Sequence, residues 1–480
     1  MSDFLTTQGT GKILKPPPLA ERMKWLSSLR NSLLQEHHQL TTCIERELNR
    51  HPVEVLATDI LPSIGAIHFL EKNATKLLRD KKLGRGPLWL MGTRTTICRR
   101  PWGTVGIIGT WNYPIFLNLV PILQALVAGN RVLWKPSEQA PETAKMLMEF
   151  LLQVGISEQM LTMFPATREA GKTLLDQELD YLVFTGSHHV GKLIARELAP
   201  RLIPSTLELS GCDCLIIMPD ADIPMVVQAI RYSMLLNHSQ TCIAIRRVLV
   251  PSNLFEPFQK AIQEEMQNLP ICHLQTMEQA TKIKDLLENA HTQGGEIFPG
   301  YVESDPQEVR PSLIFHATPK MQVCQEPAFG PVAAILKYEQ LEDIPGLFHA
   351  TSYNLSTCVF SAHPEAENNQ AIVSQLQTGT VIYNDVINAT AHPATPFPAR
   401  GASGWGVTQG PEGLLAMTTP QVTVKVKGKF RPHYDLDRSE ATSMILNGML
   451  QWSYARGLFA RVRGLVRLIR GVLQMKPKKK

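Results

Sequence analysis

Gly103-Thr-Val-Gly-Ile-Ile-Gly-Thr-Trp-Asn-Tyr-Pro114, with the uncharged run 115–128, the stop at Gly129-Asn130 and Val132-Leu-Trp134, decides the fold. No charge occurs between Gly103 and Asn130, enough to pass a crude membrane-span test of about 20 residues. Asn112, Pro114, Asn118, Pro121 and Gln124 interrupt the run, so it reads as a buried strand, a turn and a buried helix. The rhythm continues with a helix over 141–154, strands over 161–164 and 181–184, and a helix over 188–198. Alternation of this kind implies a parallel, doubly wound sheet. Past Pro204 it resumes with a strand over 214–218, a helix over 224–236 and a strand over 247–250, which predicts a second α/β domain. Upstream, Trp25, Leu29, Leu33 and Leu34 repeat at helical spacing, and residues 19–85 read as helices. Residues 88–99 suit an extended hairpin, and 422–426 alternate as one exposed strand.

The chain has 480 residues, 44% apolar and 19% charged, with 31 Gly and 34 Pro, which excludes disordered, collagen-like and coiled-coil proteins. The net charge of +5 is unevenly placed: after Glu440 there are nine basic side chains and no acidic one. A slightly acidic globule therefore carries a basic tail. Eight cysteines are too sparse for a disulfide scaffold. The N-terminus, with its first basic residues at Lys12 and Lys15, lacks a secretory layout. Reduced thiols and a cytoplasmic location are expected.

Cys242 lies in Asn237-His-Ser-Gln-Thr-Cys242, between the expected helix and strand, where a loop can present a nucleophile to a cleft. A buried small hydrophobe is the bland alternative, and His238 is too near in sequence to count as a partner on that ground. Glu208, in Leu207-Glu-Leu-Ser-Gly-Cys212, is a lone carboxylate in an apolar run; buried, it would have a raised pKa and could act as a base. Phe184-Thr-Gly-Ser-His-His-Val-Gly-Lys192 passes from strand to helix, with Gly186 permitting close approach and Ser187 able to cap a phosphate-binding helix end. Lys135 and Glu138, in Trp134-Lys-Pro-Ser-Glu138, fall at the carboxyl edge of the sheet, where ligands bind in such folds. Cys212-Asp-Cys214 has the wrong spacing for zinc and reads as packing, and His188-His189 as a solvated first turn.

Together these segments resemble the aldehyde dehydrogenase superfamily, and within it the class 3 and fatty aldehyde dehydrogenases. The resemblance runs from about residue 20 to 430. It is carried by Ile108-Gly-Thr-Trp-Asn-Tyr-Pro114, residues 128–138, the turn at 184–192, Leu207-Glu-Leu209, Gln240-Thr-Cys242, Phe329-Gly-Pro331, Tyr383-Asn-Asp-Val386 and Pro396-Phe397, with Glu208 and Cys242 the family's 34 residues apart. It implies two Rossmann-like α/β domains and a small β bridging segment, to which the residues of the tail add a C-terminal basic amphipathic helix. On that reading residues 1–85 and 103–207 bind NAD, with NADP as the alternative, and 208–390 form the catalytic domain. Residues 86–102 and 415–430 bridge a homodimer, and 441–480 form the tail. The implied activity is oxidation of a hydrophobic aldehyde through a thiohemiacetal and thioester on Cys242. Asn112 and the Cys242 backbone N–H hold the oxyanion, and Glu208 activates water. Lys135 and Glu138 meet the adenosine ribose, Gly186, Ser187 and Gly191 the pyrophosphate, and Trp111, Glu326 and Phe329 the nicotinamide end. A CoA-linked acyl reductase and an impaired scaffold that keeps the fold are the alternatives.

Three departures stand out. Ser210 replaces the first Gly of the usual Glu-Leu-Gly-Gly, and Ser239 stands where a Gly usually precedes the Gln of the nucleophile loop. In Glu326-Pro-Ala-Phe329 the carboxylate usual two residues before Phe is Pro327, which has neither acceptor nor N–H. In the tail, Leu458, Val462, Leu465, Ile469 and Val472 share one helical face, opposite Arg456, Arg463, Arg467 and Arg470. Such a helix, over 456–480, suits a membrane surface rather than nucleic acid, or else packs on the protein itself. Gly457, Gly464 and Gly471 weaken it in water, which predicts that it forms fully only when bound.

Overall fold

The computed structural model describes residues 16–84, 86, 87, 90, 92–300, 305–427 and 438–475. Lys12, Lys15, Lys476 and Lys478–Lys480 lie outside the described residues, as do parts of the expected 86–102 and 415–430 segments. The chain divides into two units, Met1–Leu77 with Pro101–Thr419, and Leu78–Arg100 with Pro420–Lys480.

The first unit holds two sheets. One runs in the order Gly404–Trp405, Ser205–Glu208, Tyr181–Thr185, Thr104–Ile108, Arg131–Lys135, Leu161–Met163. All its neighbours are parallel except Gly404–Trp405, which returns from late in the chain to pair antiparallel with Ser205–Glu208. The other is seven-stranded, in the order Glu296–Phe298, Ser312–Phe315, Val332–Tyr338, Ile245–Pro251, Asp213–Ile217, Ser356–Phe360, Thr380–Tyr383. Only its first strand is antiparallel. Strands buried on both faces favour apolar runs over alternation; Ile245–Pro251 and Asp213–Ile217 are buried at every position and apolar except at Arg246, Arg247 and Asp213.

The uncharged run folds as expected, into the strand Thr104–Ile108 and the helix Phe116–Ala128, ended by Gly129 at φ 103°. The helical stretch Pro52–Leu77 is long and apolar enough to cross a membrane by length and composition. Within it, however, Asp59 is fully buried and accepts the Ile115 and Phe116 N–H groups at 3.0 and 3.1 Å. It thereby caps the helix that follows Asn112.

In the second unit, Lys81–Lys82, Thr93–Pro101 and Thr418–Val426 form a three-stranded sheet in that order. The hairpin expected over 88–99 is instead a single described strand, because its antiparallel partner Lys81–Lys82 lies upstream. The tail also differs from expectation. It is two helices, Glu440–Tyr454 and Leu458–Gln474, packed on each other, so the second helix forms by packing on the first.

Candidate active site

The helix Ile223–Leu235 is capped by Asp222 and gives way to Asn237, His238 and Ser239, all left-handed at φ 48°, 54° and 59°. Such residues cost roughly 1–2 kcal/mol each, so the loop must be held, and it is. Asn237 donates its N–H to Glu54 Oε1 (3.1 Å) and its amide to the Asn112 carbonyl (2.9 Å). Gln240 Nε2 donates to the Asn237 carbonyl at 3.2 Å, and Gln240 Oε1 accepts from the Gln275 N–H at 2.8 Å. Beneath lies Arg246, buried, donating to Ser239 Oγ (2.8 Å), the Ser239 carbonyl (2.6 Å), the Thr241 carbonyl (3.3 Å) and the Gly330 carbonyl.

Cys242 follows this loop and lines a cavity of about 980 Å³. Burial pushes its thiol up to about 12, with Asp213 and Glu208 adding to the rise; the Ile243 and Cys242 N–H groups work the other way.

Asn112 lines the same cavity. Its Oδ1 accepts from Thr110 Oγ1 at 2.9 Å and its Nδ2 donates to the Gln240 carbonyl at 3.0 Å, which fixes the amide and leaves its second N–H for a ligand. Its backbone carbonyl accepts from Arg50 Nη1 at 3.1 Å. Arg50 is buried, paired with Asp59 at 2.6 Å, and stands 4.9 Å from the Tyr113 ring centroid; the Tyr113 hydroxyl bonds Thr241 Oγ1.

Glu208, the last residue of its strand, is buried on the cavity wall, and neither carboxyl oxygen has a hydrogen-bond partner. Burial raises its pKa well above the usual carboxylate range, with Thr408 alongside pulling the other way. A buried carboxyl with no internal partner and a face on a cavity is placed to exchange a proton with something in that cavity.

A polar cluster also lines the cavity. Lys135 donates to Glu138 Oε2 at 2.9 Å, and Arg168 donates to Glu138 Oε1 at 3.2 Å. Burial alone would raise the Glu138 pKa, but its own N–H, Lys135 and Arg168 hold it below the usual value. Gly186 and Ser187 line the wall too, and Ser187 caps the helix His188–Leu198 by accepting from the Val190 N–H. Trp111 and Phe329 meet edge to face at 5.9 Å, Phe329 at φ 49°.

A model of the aldehyde dehydrogenase family matches residues 12–423. This chain belongs to the aldehyde dehydrogenase family. It is 30% identical to the "Probable coniferyl aldehyde dehydrogenase" of Pseudomonas aeruginosa, over 88% of this chain and 89% of that one. To the aldehyde dehydrogenase family 3 member A2 of Rattus norvegicus it is 28% identical, over 82% of this chain and 81% of that one. The solved aldehyde dehydrogenase of Mycobacterium tuberculosis complexed with NAD+ superposes with TM-score 0.80 at 26% identity, covering 86% and 87% of the two chains.

Of the family residues named from sequence, Cys242, Glu208, Asn112, Lys135, Glu138, Gly186, Ser187, Trp111 and Phe329 line the one cavity; Gly191 and Glu326 do not. Gly191 lies inside the helix, where a Cβ would fall 2.5 Å from the Leu209 side chain, so its lack of a side chain lets the helix pack closely on the residue that follows the strand. Glu326 is extended (ψ 146°), as a residue before proline must be, and pairs with Lys282 at 3.3 Å on the surface while Pro327 takes the wall. His238 faces Glu54, and burial lowers its pKa. His188 bonds the Ala402 carbonyl at 2.6 Å. Arg246, inside a strand, and Arg50, just past the first helix, are single arginines that carry no spacing signal in the sequence.

Proposed function

We propose that this chain oxidises a hydrophobic aldehyde to the carboxylic acid with NAD or NADP. One observation carries the reading: Cys242, Asn112 and Glu208 share a cavity lined by the polar Lys135, Glu138 and Arg168 and by the apolar Phe116, Leu117, Val120, Pro121, Leu355 and Phe397. An apolar wall rewards an apolar aldehyde substituent.

The residues fit a dinucleotide. Lys135 and Glu138 offer a donor and an acceptor to ribose hydroxyls, the Ser187-capped helix end offers N–H groups to the phosphates, and Trp111 with Phe329 offers an aromatic wall. Pro327 leaves the nicotinamide end without the family's carboxylate. When bound, NAD(P) supplies the two-electron hydride acceptor that the oxidation needs.

In this reading the Cys242 sulfur, as thiolate, attacks the carbonyl carbon. The free Asn112 N–H and the Cys242 N–H hold the resulting oxyanion. Loss of hydride from that carbon leaves a thioester on Cys242. Glu208, when ionised, takes a proton from water, whose oxygen attacks the thioester carbon; the C–S bond breaks and the acid leaves. Because burial disfavours both the thiolate and the carboxylate, turnover should rise with pH above neutrality.

The strand Thr418–Val426 is an exposed edge of its sheet, and we assign it to pairing with a second copy. Light scattering of the full chain should then give twice the 53.6 kDa chain mass; a monomer refutes the pairing. For the activity, the test is NAD(P)H formation over straight-chain and aromatic aldehydes with both cofactors, repeated for Cys242→Ala. Turnover should favour apolar aldehydes and vanish in the variant; no turnover in the intact chain sinks the reading.

A further inference from the structure

In a soluble pair of helices the apolar side chains sit between the helices. In the tail the arrangement is inverted. The contact is made by glycines: a Cβ on Gly448 would lie 2.4 Å from the Leu468 N, one on Gly464 2.5 Å from the Trp452 N, and one on Gly471 2.9 Å from the Ala441 carbonyl oxygen. With backbones this close, few apolar groups are consumed in the contact. Leu446, Leu450, Leu458, Phe459, Val462, Ile469, Val472 and Leu473 remain exposed, Phe459 at 93% and Leu473 at 78%.

At 100° per residue, measured from Gly448 and Gly464 as the contact points, Ile445, Leu446 and Met449 fall to one side of the first helix. Leu458, Val462, Leu465, Ile469 and Val472 fall to one side of the second. In an antiparallel pair these arcs lie on the same broad face. Arg463, Arg467 and Arg470 fall on the opposite one, with Asn447 and Ser443 of the first helix, while Arg461 falls at the margin of the apolar face and Leu450, Phe459 and Val466 lie toward the outer edge of the arginine side. The pair is therefore a two-helix slab with one mainly apolar face and another that carries three of the four arginines within the second helix, and its only acidic residue is Glu440 at its start.

We propose that the helices Glu440–Tyr454 and Leu458–Gln474 dock on an anionic bilayer surface, the apolar face entering the acyl boundary and the arginines reaching headgroup phosphates. Charge selects this occupant. A second copy could cover the apolar face but would leave the arginines without counter-charge, whereas an anionic interface satisfies both faces. Arginines along the second helix exclude a full span, and the slab lies in the interface plane. The docking is independent of the aldehyde chemistry.

The test is flotation of the full chain with vesicles of phosphatidylglycerol and phosphatidylcholine, against phosphatidylcholine alone, at low and high salt. Binding should require the anionic lipid and weaken with salt. Arg463→Gln/Arg467→Gln/Arg470→Gln should reduce binding on the order of a hundredfold, from a several-fold contribution per charge. Val462→Asp/Ile469→Asp should abolish it while helicity and dehydrogenase activity with a soluble aldehyde persist. No binding to anionic vesicles overturns the proposal, as does unchanged binding by the aspartate variant. So does a Val462- and Ile469-dependent self-association without vesicle binding, which would make a second copy the occupant.

Discussion

Ser239 replaces a glycine at a position whose φ is 59°, yet the substitution has a use that glycine cannot have. Its hydroxyl accepts from Arg246, and the same guanidinium holds the Ser239, Thr241 and Gly330 carbonyls. One buried cation thus joins the loop before Cys242 to the loop that carries Phe329 and Pro327. We expect Arg246→Met to lower kcat by about 10- to 100-fold through misplacement of the nucleophile, and to raise KM for the cofactor. It should also move the pH profile of Cys242 alkylation upward, since a cation near the sulfur is lost. Ser239→Gly should cost only several-fold, and once Arg246 is gone it should add nothing. A full additive loss in the double variant would show that the two residues act separately. Elsewhere on the cavity wall, Glu138 is ionised between Lys135 and Arg168. Glu138→Gln removes a charge that repels a 2′-phosphate, so the ratio of kcat/KM for NADP over NAD should rise by about tenfold; an unchanged ratio would place the 2′-position elsewhere.

At the scale of elements, strand–helix alternation carried most of the fold, because strands buried on both sides are spelled as mainly apolar runs, and Glu208 and Cys242 stood out by family spacing. What the sequence hid was set by tertiary contact. Gly191 looked like a turn glycine because it follows the strand–helix junction; only the Leu209 side chain against it shows a packing role. Pro327 was visible, but that Glu326 would turn to Lys282 depended on a helix 44 residues upstream. The tail glycines invite the same misreading. As isolated residues they weaken a helix by about 1 kcal/mol each, but here they let two helices meet. Gly464→Leu should therefore lower helicity and hydrogen-exchange protection over 440–474, against the stabilisation expected from propensity alone. Overpacking typically costs about 1–3 kcal/mol. Since the helices belong to the second unit, aldehyde turnover with a soluble substrate should be unchanged; higher protection in the variant would contradict the close approach.

Across the whole molecule, buried ionisable groups make stability depend on pH in a direction that can be worked out. Burial raises Asp213 to about 7, against the Ser356 N–H and the charges of Arg246 and Arg247; the group is fully enclosed, and its Oδ2 has no partner. Its folded pKa exceeds its unfolded value, so folding takes up a proton between roughly pH 4 and pH 7. The contribution of Asp213 to stability is thus fully present below that window and is lost as pH rises through it, by at most about 1.4 kcal/mol per pH unit. Glu208 has the same sign, because its pKa is also raised. His238 has the opposite one, because burial lowers its pKa and the unfolded chain then binds more protons. Asp213→Asn keeps an acceptor for the Ser356 N–H and cannot titrate, so the difference between wild type and variant isolates the one group. Denaturant unfolding at pH 5 and pH 8 should show the variant gaining relative stability at pH 8. Because the Asp213 charge also adds to the rise of the Cys242 thiol, the variant should alkylate faster above pH 7 and at the wild-type rate below it. A stability difference that does not change with pH, together with faster alkylation of the variant at pH 5 as well as at pH 8, would mean that Asp213 stays ionised throughout, held by Arg246 and Arg247 more strongly than burial opposes it.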